Sequence, residues 1–132
     1  MDRPLPTPDH ESAEFWRRVG AHRLALQRCT ACRAFRFYPR AVCPECLSGG
    51  FEWVAVTGRA TLYSFTVCHR PASEAFADRT PYIVALVDLE ERVRVLANLL
   101  DCAPTRARVG MPLTLVYDDV ADGVTLYQFK PA

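Results

Sequence analysis

The chain has 132 residues, 50% of them hydrophobic and 23% charged, with a formal net charge of +1. That length and balance fit one compact domain, or a small domain with an appendage, and exclude wholesale disorder. A chain this near neutrality has no overall field to hold a nucleic-acid backbone, and no apolar run approaches the ~20 residues that cross a bilayer.

The N-terminus, MDRPLPTPDHESAEF, has no apolar core behind its charges and does not read as a secretory leader. This predicts a cytoplasmic protein without membrane attachment. Thiols stay reduced there, so paired cysteines point to metal before disulfide.

In chain order, Pro4, Pro6 and Pro8 favour extended backbone over helix, predicting an arm that is loose or laid on a partner. Residues 10–21, HESAEFWRRVGA, predict a short amphipathic helix. Ser12 is the expected N-cap, Gly20 the expected stop, and Phe15, Trp16 and Val19 fall on one face. A helix with a Phe15–Trp16 face has to pack on something, its own domain by default or a partner. Arm and helix together take residues 1–23, and a zinc ribbon takes 24–56.

The ribbon is read from RCTACRAFRFYPRAVCPEC, in which two Cys-x-x-Cys pairs stand ten residues apart. Zinc takes four ligands tetrahedrally, and each pair sets two sulfurs on one side of the metal. Cys29, Cys32, Cys43 and Cys46 are therefore the expected ligands of a structural zinc. Four cysteines leave no open position for water or substrate, which argues against hydrolytic chemistry. The same shell also suits iron in an electron carrier, the second choice of metal.

Seven arginines and no acid lie between Arg17 and Pro44. Zinc with four thiolates carries a formal −2, so two readings of this basic excess stay open. One is counter-charge and solvated surface; the other is a phosphate-binding patch for a nucleotide-like ligand or a nucleic-acid backbone. Phe35, Phe37 and Tyr38 sit among these arginines. They serve either as the module's small core or, beside the arginines, as a stacking surface for a ligand or partner; Phe35 is the candidate contact.

Residues 57–132 read as a β-barrel. Strands are predicted at GRATLYSFTVCHR, PYIVALVDL, RVRVLANLL, LTLVY and VTLYQF. In the first, Tyr63, Phe65 and Val67 are expected on one face and Leu62, Ser64, Thr66 and Cys68 on the other. Glu90 and Glu91 mark one hairpin turn and Ala121–Gly123 another; Asp118 and Asp119 read as solvated turn residues. Five antiparallel strands without a long helix suggest a small closed barrel of OB type, with an SH3-like barrel as alternative. The long connection 69–81 reads as a binding element with Phe76 as its anchor.

Cys68 and His69 are neighbours on a strand and point to opposite faces, so they form no dyad. His10 and His22 have no partners at metal spacing. The chain has no nucleophile elbow, phosphate loop or dinucleotide fingerprint, so it is not expected to be an enzyme by itself.

One combination of features is specific: Phe15-Trp16; Leu24 and Gln27 leading to Arg28-Cys29-x-x-Cys32; Phe37-Tyr38-Pro39-Arg40; Cys43-Pro44-x-Cys46; Trp53; Gly58-x-Ala60-x-Leu62-Tyr63-Ser64-Phe65-Thr66; Pro81-Tyr82; Gly110-Met111-Pro112; Phe129-Lys130-Pro131. From about residue 12 onward the chain resembles the family known as domain of unknown function thirty-five, the zinc-ribbon OB-fold proteins that accompany acyl-CoA enzymes. It departs in having Arg33 and Ala34 where that family usually has glycine after the first knuckle. The resemblance implies a mainly β protein with a short N-terminal helix, a rubredoxin-like zinc ribbon and a five-stranded OB-fold barrel. It also implies a non-catalytic accessory subunit of a thiolase, a thiolase-like aldolase, a hydratase or an acyl-transfer complex, in lipid, steroid side-chain or aromatic acyl-CoA metabolism. Its partner would be a thiolase-like large subunit in a hetero-oligomer, with acyl-CoA at or near the interface. On this view the Phe15–Trp16 helix docks on the partner, and Arg33, Phe35, Arg36, Arg40 and Phe76 contact ligand or partner. The competing reading is a single-strand nucleic-acid binder. Residues 57–132 weigh against it, with eight basic and nine acidic residues, since a strand-binding groove is basic.

Overall fold

The structure, a computed structural model, describes residues 3–132; Met1 and Asp2 of the expected arm lie outside the described residues. The remainder of the arm lies on its own chain. Arg3 reaches Asp118 at 3.6 Å, and Arg3 and Leu5 lie with Arg79 and Val120 around one surface hollow.

Helix α1 spans Ala13–Gly20 and ends differently from the expectation at both termini. Asp9 Oδ1 accepts the N–H groups of Ser12 (2.9 Å) and Glu11 (3.1 Å), and Ser12 Oγ accepts the Asp9 N–H (3.0 Å). The capping acceptor is thus Asp9, and Ser12 reaches backward. At the other end His22 N–H bonds Val19 O and Arg23 N–H bonds Arg18 O, both at 2.9 Å, with His22 at φ 59°. That is a Schellman closure, so the left-handed stop is His22 rather than Gly20.

Three strands follow in a small antiparallel sheet: β1 (Ala25–Cys29) in the centre, flanked by β2 (Phe35–Arg36) and β3 (Phe51–Ala55). Five more form a closed barrel: β4 (Arg59–Cys68), β5 (Tyr82–Leu89), β6 (Arg94–Leu99), β7 (Pro112–Ala121) and β8 (Val124–Pro131). The barrel order is β4-β5-β6-β8-β7, and β6 pairs with β8 in parallel. The expectation of five antiparallel strands is corrected at this seam. The long connection between β6 and β7 crosses one end of the barrel, so the chain's last strand, not β7, reaches β6. This order is that of the five-stranded OB barrel.

The parallel seam is narrow. One residue pair, Leu99 and Phe129, bridges it, with Leu100 N–H on Phe129 O at 2.7 Å. Two side-chain amides extend it: Gln128 Oε1 accepts Asn98 N–H at 2.7 Å and Gln128 Nε2 donates to Asn98 Oδ1 at 3.5 Å, while Asn98 Nδ2 donates to Ile83 O on the other neighbour, β5, at 3.0 Å. Gln128 is buried for this reason.

The barrel interior holds Leu62, Ile83, Ala85, Val87, Val95, Leu99, Leu113 and Phe129. The face assignment in β4 needs correction. Leu62 pairs with Val87, but Ser64 pairs with Leu86, leaving Tyr63 as an extra residue. This bulge switches the phase of the strand: Ala60 and Leu62 point inward before it, Phe65 and Val67 turn toward the core after it, and Tyr63 lies outside under the Arg94 guanidinium. Asp118 and Asp119 also differ from expectation. They lie within β7, and Asp119 accepts hydrogen bonds from the Thr125 hydroxyl and, at 2.9 Å, from His22 Nε2.

The ribbon closes one end of the barrel. Leu26 belongs to the barrel core cluster, and Phe35 and Phe37 pack against it. Phe37 also meets Phe15 of α1 at 5.7 Å. The linker between the two parts is clamped by the β5–β6 turn: Glu91 Oε2 accepts Thr57 N–H at 3.0 Å, and Glu90 holds the Arg59 guanidinium.

Two substitutions test this packing. Phe15 is fully buried, so Phe15→Ala is expected to cost about 3–5 kcal/mol of stability. Gln128→Ala leaves the Asn98 N–H unpaired at the seam and is expected to cost about 1–3 kcal/mol. Urea unfolding of the metal-loaded protein measures both; values within error of wild type would contradict the packing described.

Candidate functional site

The two cysteine knuckles are built alike. In the first, Arg33 N–H bonds Cys29 O (3.0 Å) and Cys29 N–H bonds Ala34 O (2.9 Å). In the second, Leu47 N–H bonds Cys43 O and Cys43 N–H bonds Ser48 O, both at 2.9 Å. The residue after each pair is left-handed, Arg33 at φ 68° and Leu47 at φ 67°. This explains why glycine suits the position in the resembled family: it takes that conformation without the Cβ penalty. Arg33 meets the same backbone demand at a modest energetic cost, and the ligand geometry is kept.

The four sulfurs lie within 4.8 Å of one another. The cross-knuckle pairs Cys29–Cys46 and Cys32–Cys43 stand at 3.5 and 3.7 Å. A tetrahedron with Zn–S of about 2.3 Å has edges of about 3.8 Å, so the cluster has the size zinc requires. Backbone N–H groups of Cys32 and Ala31 aim at Cys29 and bring its thiol down to about 6. Those of Cys46 and Glu45 likewise lower Cys43. The Ala34 N–H favours a Cys32 thiolate, but desolvation and the other sulfurs outweigh it and push Cys32 up to about 12. Four thiolates so close repel one another, and a divalent cation resolves the repulsion. Cys68 and Cys102 are half-buried elsewhere and take no part in the cluster.

The structure separates the sequence-predicted contact residues. Arg33 and Arg40 are exposed, with Arg33 3.7 Å from Glu52. Arg36 is only 3% exposed, so it cannot be a surface phosphate ligand; β2 turns it inward over the ribbon sheet. Phe35 is half-buried against the barrel core with the Arg28 guanidinium over its ring, which removes it from the stacking surface. Phe15 is likewise corrected as a docking residue. It is buried among Trp16, Phe37, Tyr38 and Tyr127 of its own chain. Trp16 remains half-exposed, stacked on Tyr127 at 5.9 Å, with its indole N–H on Tyr38 Oη at 2.7 Å.

Phe76 sits on the 3₁₀ turn Glu74–Arg79, 5.8 Å from the Tyr82 ring. It divides two adjoining hollows on the outer barrel wall. One, of about 340 Å³, is apolar and runs between Trp16, Leu96, Leu126 and Tyr127. The other, of about 310 Å³, contains Arg3, Arg79 and Cys102. Asn98, Gln128 and Tyr82 are common to both. Sequence reasoning singled out Phe76 from the loop length but not Arg3, Arg79 or Leu126, which border the same pair of hollows only because the arm, the 69–81 loop and the last strand converge there.

Family models described as the ChsH2 rubredoxin-like zinc ribbon domain and the ChsH2 C-terminal OB-fold domain match residues 16–52 and 53–118. A "DUF35 domain-containing scaffold protein" of Methanothermobacter thermautotrophicus is 34% identical, over 91% of this chain and 94% of that protein. A "Probable enoyl-CoA hydratase alpha subunit" of Thermomonospora curvata is 38% identical over 98% of this chain, which spans 40% of that protein's length. A "Benzoylsuccinyl-CoA thiolase subunit BbsA" of Thauera aromatica is 33% identical, over 78% of this chain and 71% of that one. Among solved structures, a chain of the "Ltp2-ChsH2(DUF35) aldolase" superposes with a TM-score of 0.88 at 36% identity, covering 96% of this chain and 98% of that one.

Metal analysis of the purified protein is expected to give one zinc per chain in a colourless preparation. Cys32→Ser is expected to lose the metal. Because metal binding is coupled to folding in such modules, stripping zinc with a strong chelator should expose the amides of Ala25–Ala55 to rapid hydrogen exchange. Retained protection in that segment would contradict a metal-dependent ribbon.

Proposed function

Because the chain belongs to the DUF35 family, the ChsH2-type zinc-ribbon and OB-fold proteins, we propose that it is a non-catalytic accessory subunit. In this reading it docks on a thiolase-superfamily enzyme and helps to hold the CoA portion of an acyl-CoA. Related proteins carry the names of hydratase and thiolase subunits, and one is part of an aldolase. Chemistry resides on the larger partner, whose own residues act on the acyl group.

The observation that carries this reading is the pair of hollows around Phe76. The apolar one suits a pantetheine or acyl segment; the other is lined by Arg3 and Arg79 beside Asp101 and Asp118, and since Arg3 pairs with Asp118, Arg79 is the cation there that would meet a phosphate. The closed sulfur shell agrees with a supporting role, since it offers substrate no open coordination position. The exposed Leu96, 58% accessible, extends the apolar hollow outward along the sheet toward Val84 and Leu86, as a surface awaiting a partner does.

Two outcomes are expected. The chain alone has no thiolytic or retro-aldol activity, and it co-elutes with a thiolase-like protein encoded near it. In the assembled complex, Phe76→Ala should raise KM for acyl-CoA by about 5–30-fold, the worth of one aromatic contact of about 1–2 kcal/mol, with kcat changed far less. A chain that stays monomeric beside every such partner defeats the docking half. A wild-type KM in the Phe76→Ala complex defeats the ligand half.

A further inference from the structure

The ribbon contains a buried cation, Arg36, that pairs with no carboxylate among the described residues. Arg36 donates its Nε–H to Gln27 Oε1 at 3.0 Å. Its Nη1 and Nη2 are buried and have no hydrogen-bond partner among the described residues. Gln27 Oε1 also accepts Arg40 N–H at 2.8 Å, so the amide oxygen is fully occupied. A buried guanidinium with two free nitrogens is strongly unfavourable unless negative charge lies close by.

The register locates that charge. Arg36 stands opposite Gln27 on β1, and Gln27 and Cys29, two residues apart on one strand, project from the same face. Phe51 stands opposite Cys29 on β3 and shares that face. The Arg36 Cζ lies 4.8 Å from the Phe51 ring centroid. To reach that ring from β2, the guanidinium crosses β1 on the side from which the Cys29 ligand projects. The ribbon's two acids do not supply the charge there. Glu52 pairs with Arg28 on the opposite face, at 2.7 Å, and also reaches Arg33. Glu45 is exposed within the second knuckle. Glu11 of the arm reaches the ribbon at Ala41, whose N–H it accepts at 2.7 Å, and makes no ion pair with Arg36. On the face that Arg36 shares with Cys29 the sulfur cluster, formally −2 with zinc bound, is the charge of opposite sign.

We propose that Arg36 is the built-in counter-ion of the zinc centre. Gln27 and the Phe51 ring hold its planar group in place, and its positive charge offsets the excess negative charge of the metal-bound sulfurs in a setting where little water screens it. The exposed Arg33 and Arg40, though nearer in sequence to the cysteines, are screened by solvent and do not share this role.

The test uses the full chain carrying Arg36→Met, which keeps length and packing without charge, Arg36→Lys, which keeps the charge, and Arg40→Met as control. Two properties are read: the rate of zinc transfer to a chromophoric chelator, and the sulfur-to-cobalt charge-transfer band of the cobalt(II)-substituted protein. Arg36→Met is expected to release zinc about tenfold faster, as loss of one nearby opposite charge predicts. Its cobalt band should move to lower energy, because the sulfur orbitals rise without the cation. Arg36→Lys should restore most of the retention, and Arg40→Met should match wild type. Should Arg36→Met fail to fold, Gln27→Leu, which frees the Nε anchor and leaves the charge, is expected to shift the band in the same direction by less. An unmoved band in whichever of the two folds overturns the proposal, even with faster zinc release, because packing alone then explains the effect. An equal shift in Arg40→Met overturns it as well.

Discussion

The tetrahedral closure of four sulfurs is the constraint from which the rest of the molecule follows. β2 has only two residues and β3 lies mostly exposed, so the ribbon sheet has little apolar area with which to hold itself together. A ribbon of this size depends on its metal for closure. Once the two knuckles are tied, β1 is fixed between its neighbours. Leu26, Phe35 and Phe37 are then presented together against the open end of the barrel. The metal therefore acts at a distance: it sets the ribbon, and the ribbon plugs the barrel.

The helix completes this arrangement. Phe15 and Val19 are one turn apart, and both are fully buried. Phe15 enters a cluster of edge-to-face aromatic contacts with Phe37, Tyr38 and Tyr127, drawing helix, ribbon and last strand into one unit. Trp16, next in sequence, necessarily faces another direction, and its ring borders the open apolar hollow. Adjacent residues on one helix thus divide between holding the fold and shaping its surface. The clamp of Glu90 and Glu91 on the Thr57–Arg59 linker limits the angle between ribbon and barrel. An accessory subunit benefits from that rigidity, since a preorganised surface loses less freedom on binding.

Charge is distributed by the same logic. The basic excess between Arg17 and Pro44 is not one patch. Arg17 and Arg18 pair with Glu14, whose carboxyl they hold down at about 2, the Arg17 hydrogen bond contributing most. Arg28 pairs with Glu52, and Arg36 is buried on the zinc side of the sheet. A formally −2 metal centre inside a small ribbon calls for nearby cations, and the sequence supplies more than the surface alone would need.

The cysteine spacing by itself determined the ligand set of the metal centre, because two Cys-x-x-Cys turns bring four sulfurs into one tetrahedral shell. Local pattern likewise determined the helix and the five barrel strands, whose alternation and turn residues act over short distances. Three things escaped it for physical reasons. The bulge at Tyr63 reverses the facing of half of β4, and no short-range signal marks a residue that is extra only relative to its partner strand. The parallel β6–β8 seam depends on where a long connection returns, which periodicity does not encode. The fate of each arginine and aromatic depended on which sheet face met the barrel: Arg36 and Phe35, neighbours on one strand, face opposite sides of the ribbon, the one buried and the other half-buried. Sequence chose the metal ligands and the elements. Tertiary packing alone decided which of the remaining polar and aromatic groups stayed free to meet another molecule.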